Sequence, residues 1–113
     1  MTNEEAPLPP VRTVLNWSAL DLDSTLSTGI WTPDDPTRRI GAPIEANVAK
    51  LLELVQAGWK IAIHTSRPWS DYETIELWLR FHRIPYQLIV CGKLLAGKYV
   101  DDRAINAEEG SWL

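Results

Sequence analysis

Three short apolar runs in this chain each close on a cluster of polar residues. SALDLD ends with Asp21 and Asp23, KIAIHTSR with Thr65, Ser66 and Arg67, and KYVDD with Asp101 and Asp102. A further run, QLIVC, lies between the last two, and two segments of helical pattern fill the gaps. Alternation of strands with helices implies an α/β fold with parallel pairing and right-handed crossovers. In such sheets ligands gather at the carboxyl ends of the strands, where these polar clusters fall. Three strands delivering chemistry to one rim is the constraint on which the rest of the reading hangs.

The helical segments have their own signals. Residues 43–57 place Ile44, Val48, Leu51, Leu52 and Val55 on one face, with Pro43 suited to a first turn and Gly58 to the position just past the end. Ser70 and Glu73 form the S-x-x-E pattern of a capping box. The core face of that second helix would be Tyr72, Ile75, Trp78 and Leu79, and Pro85 stops it. Residues 24–42, dense in Thr, Pro, Asp and Gly, read as a long loop with room for a short hairpin. A loop of that length in a small domain is usually functional or disordered.

At 113 residues the chain fits a single domain, 1–113, with 1–12 as a flexible, acidic, proline-rich leader that lacks the pattern of a signal peptide. The net charge of -4 argues against a general nucleic-acid binder, leaving nucleic acid in play only as a substrate. No apolar run approaches the length of a membrane span. The lone Cys91 cannot form an internal disulfide, which suits a reducing cytoplasm.

Asp21 and Asp23 are two apart, so in a strand they share a face. Paired carboxylates repel, and a hard cation with a preference for oxygen ligands relieves that cost. Asp101 and Asp102 are candidates to complete such a site. Two solvated carboxylates at a strand end are the plain alternative. Thr65, Ser66 and Arg67 offer hydroxyl, backbone N–H and charge to a phosphate. Arg67 is either a bidentate clamp for substrate or a salt-bridge partner of Asp71 or Glu73.

In this order the segments SALDLDSTLS, KIAIHTSRP, CGK and YVDDRAI resemble the four motifs of haloacid dehalogenase-type phosphatases, over about Leu15 to Ile105. The resemblance implies a three-layer Rossmann-like core with a short, mainly parallel sheet of strand order 4-1-2-3. It implies a magnesium-dependent phosphomonoesterase in which Asp21 attacks phosphorus and becomes an aspartyl phosphate. Asp23 would act as general acid and then base, and give its carbonyl to the metal. Thr65 would bind the phosphoryl oxygens, and Lys93 would balance the charge, with Lys98 the alternative lysine. Asp102 would be the main acidic ligand of Mg2+, beside Asp21, with Asp101 next to it. Ser24 stands where the family usually has Gly, and Leu94 where similar capless proteins often have Pro. Neither insertion point has room for a cap domain, so the site should be open, gated by the 24–42 loop. It would suit a bulky phosphorylated substrate, or a lid borrowed from a partner or from another copy of the chain. The substrate classes that fit are a nucleotide, a sugar phosphate or a nucleic-acid terminal phosphate. The competing reading is a phosphate-binding or regulatory module that keeps the fold without turnover.

His64, His82 and Cys91 read as ordinary packing or surface residues. Trp31 and Trp69 could offer flat faces to a base or sugar, though such residues more often roof a small core. Arg38 and Arg39 either steer an anion or solvate the loop.

Overall fold

The structure is a computed structural model that describes residues 16–113, so the leader assigned to residues 1–12 lies outside the described residues. Along the chain come β1 (Trp17–Leu20), α1 (Glu45–Gln56), β2 (Lys60–His64), a single 3-10 turn at Trp69–Asp71, α2 (Tyr72–Phe81) and β3 (Leu88–Val90). The three strands form one parallel sheet in the order β1-β2-β3. The register sets Leu20 beside Ile63 and Ile63 beside Ile89. All three are buried, and Ile61 joins them in one cluster with Leu51 and Leu54 of α1 and Ile75 and Leu79 of α2.

Both helices therefore cover the same face of the sheet. Two right-handed crossovers that step in the same direction, β1 to β2 to β3, must do this. The opposite face carries Ala19, Lys60 and Leu88, which are exposed. Among the described residues the architecture is thus two layers, not the expected three. Nor is the expected fourth strand formed. Residues 98–102 take no strand conformation, and Val100 is 97% exposed. The reason lies in the short connection that leads to them.

Some local expectations hold and others do not. Gly58 closes α1 with φ +97°, a conformation that a Cβ would resist, and Trp59 donates its N–H to the Leu54 carbonyl at 3.0 Å. The buried face of α1 is turned slightly from the expected one, since Leu54 is buried and Leu52 is exposed. Pro43 stands outside the helix, bridged to Ser27. The capping box does not form: Ser70 is taken into the 3-10 turn. Asp71 holds the cap position instead, and its carboxylate turns to Arg67 and Arg38. Tyr72 is exposed and stacks on Trp69. Among the described residues no helix is long and apolar enough to cross a membrane.

Candidate functional site

The carboxyl end of β1 runs straight into Asp21. One of its oxygens, Oδ1, lies 3.2 Å from Lys93 Nζ, and the other, Oδ2, accepts a hydrogen bond from the Thr25 hydroxyl at 3.2 Å. The side chain remains 37% exposed, so it faces solvent with its charge partly balanced. Lys93 is held from behind, because its backbone N–H bonds the Thr65 carbonyl and that of Gly92 bonds the Arg67 carbonyl. Lys98 is exposed.

Between Asp21 and Asp23 the chain turns sharply. The Leu22 carbonyl accepts from the N–H groups of Thr25, Leu26 and Ser27 at 3.2, 2.8 and 3.0 Å. Ser24 takes φ +64°, a conformation that Gly adopts freely and other residues resist. Its hydroxyl donates to the Gly29 carbonyl at 2.9 Å, offsetting part of that strain.

Arg67 is the centre of the second half of the site. Its guanidinium is 1% exposed. Nε and NH2 fork onto Asp23, NH1 bonds Asp71 and the Arg38 carbonyl, and NH2 also bonds the Arg39 carbonyl, all between 2.8 and 3.2 Å. Five contacts match the five N–H groups that a guanidinium carries, so no donor is left over for a phosphate. Burial works against its charge, but Asp23 and Asp71 outweigh that cost and its pKa stands raised. Arg67 is therefore a strut of the site, and its reading as a substrate clamp is set aside. Thr65 is buried too, and its hydroxyl accepts the Arg67 N–H at 3.1 Å. Ser66 is half-buried beside it.

The 24–42 loop leaves this turn through a narrow neck. Thr28 donates to the Ala42 carbonyl and Ile44 to that of Leu26, both at 2.8 Å. At Gly41 a Cβ would stand 2.5 Å from the Gly29 backbone nitrogen, a contact that side chains cannot relieve. Gly41→Ala is expected to destabilise the protein by about 1–3 kcal/mol, read as a lower denaturation midpoint with an unchanged slope. Beyond the neck, Trp31, Pro33, Asp35, Pro36 and Arg38 join Pro68, Ser70 and Asp71 around an open cavity of about 240 Å³. The Trp31 ring centroid is 6.0 Å from the Arg67 guanidinium carbon, and Trp69 is exposed.

His64 has a position that its packing role did not foretell. Leu20 and Ile63 are paired, and Asp21 and His64 are the residues that directly follow them. Burial pulls its pKa down, Lys93 adds to this, and Asp21 opposes both. A base with a lowered folded-state pKa stabilises the fold above its unfolded value of about 6.5 and loses that contribution as the pH falls. Unfolding free energy should decline from about pH 6.5 downward, and His64→Gln should remove the part of that decline lying above the carboxylate range. Cys91 behaves as expected of a packing residue: burial, with Asp71 adding, pushes its thiol up, away from nucleophilic thiolate.

The acidic pair Asp101 and Asp102 does not reach this rim. Both are exposed, Asp102 pairs with Arg103 at 3.5 Å, and Asp101 accepts the Arg103 N–H. Among the described residues no three His, Cys, Asp or Glu side chains come together as a metal site.

The fold and its rim define an α/β protein with a parallel sheet and a paired-carboxylate edge. No family model and no curated protein matches the chain. The crystal structure of a target protein from Vibrio cholerae does match, with 32% identity over 85% of this chain and 87% of that one, and a TM-score of 0.67. The chain belongs to the family of that Vibrio cholerae protein and shares its fold.

Proposed function

We propose that this chain is a phosphomonoesterase of the haloacid dehalogenase type, working through an aspartyl phosphate on Asp21. The observation that carries the reading is Asp21 itself: a partly exposed carboxylate at the carboxyl end of a parallel strand, held between Lys93 and Thr25. A carboxylate oxygen so placed can attack phosphorus while the ammonium balances the charge of nucleophile and phosphate. The bond from phosphorus to the leaving oxygen breaks, and that oxygen takes a proton. Water then attacks the acyl phosphate and releases inorganic phosphate. Asp23 would supply the first proton and accept one from the water. Both of its oxygens are engaged by Arg67, so its side chain must turn away from the guanidinium before it can serve.

The ordered motifs from Asp21 to Asp102 support the same reading and with it the use of Mg2+, and the lone Cys91 suits a cytoplasmic enzyme. The Asp21 carboxylate and the Asp23 carbonyl would hold the metal, with water in its other positions, and none of the steps above is routed through it. An open rim suits a bulky phosphorylated substrate. Phosphate release from a panel of nucleotides, sugar phosphates and 5′- and 3′-phosphorylated oligonucleotides, with and without magnesium, tests the proposal. Turnover of at least one class, lost on removing the divalent ion, is the expected result. Phosphate binding without turnover would favour the regulatory module instead, a reading to which the Asp23–Arg67 pairing lends weight.

A further inference from the structure

The unformed fourth strand and the distance of Asp101 and Asp102 from the rim share a cause. β3 ends at Val90, and the next strand-like segment starts at Lys98. Gly92 and Lys93 are pinned to the carbonyls of Arg67 and Thr65, so only residues 94–97 are free to make a connection. A parallel strand beside β1 has to begin at the opposite edge of the sheet and run up to the rim. Crossovers of that kind take about a dozen residues or more. Fully extended, residues 94–97 span about 17 Å between their flanking Cα atoms. Descending the length of a four- or five-residue strand uses about 13–17 Å before any sideways travel past β2 and β1. The chain cannot lay its own Lys98–Asp102 parallel to its own β1. The structure agrees, since Tyr99 stays at the rim, its ring centroid 5.1 Å from Lys93 Nζ and its hydroxyl bonded within the 94–99 loop. An antiparallel approach would carry Asp101 and Asp102 to the wrong edge.

Among the described residues β1 pairs only with β2, so its outer edge is open. The chain also leaves an apolar segment unburied: Leu94, Leu95, Tyr99 and Val100 are all more than half exposed. We infer that two copies of this chain exchange the segment Lys98–Asp102, each adding it as a parallel fourth strand to the outer edge of the other's β1. The register that sets Val100 beside the partner's Ala19 puts Asp102 level with the partner's Asp21. Asp102 then shares a face with that carboxylate, and Asp101 lies one residue before it. Each rim is thereby completed by acids from the other chain. The tail beyond, which seats Trp112 and bonds Lys50 to the Ala107 and Glu109 carbonyls, exchanges with the strand and remakes those contacts on the second copy.

The exchange of strands stands on the connection and the open edge. Only the claim that it completes a catalytic site rests on the proposed phosphatase. The test separates the two. Ala19→Cys and Val100→Cys are made on different chains, denatured together, refolded as an equal mixture and oxidised with oxidised glutathione. A covalent heterodimer is expected, dependent on both cysteines. Light scattering should show a dimer for the unmodified protein and a monomer for Val100→Lys, with the circular dichroism of the helices unchanged. An equal mixture of Asp21→Asn and Asp102→Ala, each inactive alone, should recover up to about a quarter of wild-type turnover after co-refolding, because half of randomly paired dimers carry one intact site of two. Cross-linking without recovered turnover keeps the exchange and removes the completed site. A protein that is monomeric at all concentrations, or a cross-link confined to one chain when both cysteines are on it, overturns the exchange.

Discussion

Asp21→Asn is expected to fold normally and to turn over no phosphomonoester at all. The amide still accepts the Thr25 hydroxyl's proton and still faces Lys93, so the rim keeps its shape. It has no anionic oxygen to form a bond with phosphorus, and without the covalent intermediate the two-step route is closed. The loss should exceed about 10³-fold in kcat on every substrate, good or poor leaving group alike, because the missing group is the proposed nucleophile. Asp23→Asn should behave differently. A proton donor matters most when the leaving oxygen is basic, so alkyl phosphates should suffer far more than p-nitrophenyl phosphate. Rapid-quench trapping of the phosphoenzyme distinguishes them: Asp21→Asn gives none, and Asp23→Asn accumulates it on aryl substrates. A phosphoenzyme in Asp21→Asn, or equal slowing of alkyl and aryl phosphorylation in Asp23→Asn, contradicts these roles.

The largest effect on stability should come from Arg67→Met. The substitution keeps much of the volume and deletes all five hydrogen bonds of the guanidinium. Asp71, at 2% exposure, is left with only the surface Arg38 at 3.4 Å, and the carbonyls of Arg38 and Arg39 lose their buried donor. Removing one member of a buried ion pair costs about 3–5 kcal/mol, because the other charge is stranded. A domain of this size has only about 5–15 kcal/mol in total, so the melting temperature should fall by more than about 12 °C. Arg67→Lys should rescue little, since a single ammonium cannot fork onto Asp23 and reach Asp71 together. Adding Asp71→Asn to Arg67→Met should recover part of the loss by removing the stranded charge. Full stability in Arg67→Met, measured by urea denaturation, contradicts the role of the guanidinium as a strut.

Much of this was legible from residue order. The two helices announced themselves by spacing and by Gly58, and the three strands by short apolar runs, because each is stabilised by contacts its own sequence pattern encodes. The meeting of Asp21 and Lys93 followed from the resemblance. Position 24 was legible too: a Ser where the turn calls for φ above zero. Arg67 was left open between phosphate and Asp71, since a lone arginine after a strand does not reveal that loop carbonyls will close over it. The capping box failed because Asp71, drawn to Arg67, displaced Ser70 from the cap. The fourth strand was misplaced for a different reason. β-propensity describes a segment, while joining a parallel sheet depends on the length of chain that leads to it.

The neck at Gly29 and Gly41 has a consequence for how such a protein can change over generations. Backbone bonds from Thr28 and Ile44 clasp the base of the excursion, and its outer end is a four-residue bend in which Asp35 N–H returns to the Thr32 carbonyl. Neither the clasp nor the Arg67 bonds to Arg38 and Arg39 involve Pro33 or Asp34, which are exposed. Chain spliced in between those two residues would disturb no contact of the core. Doubling the length of the excursion there costs only about 0.6 kcal/mol of closure entropy. The bend is thus a graft point, where a whole lid could be acquired in one genetic event without first weakening the body that carries it.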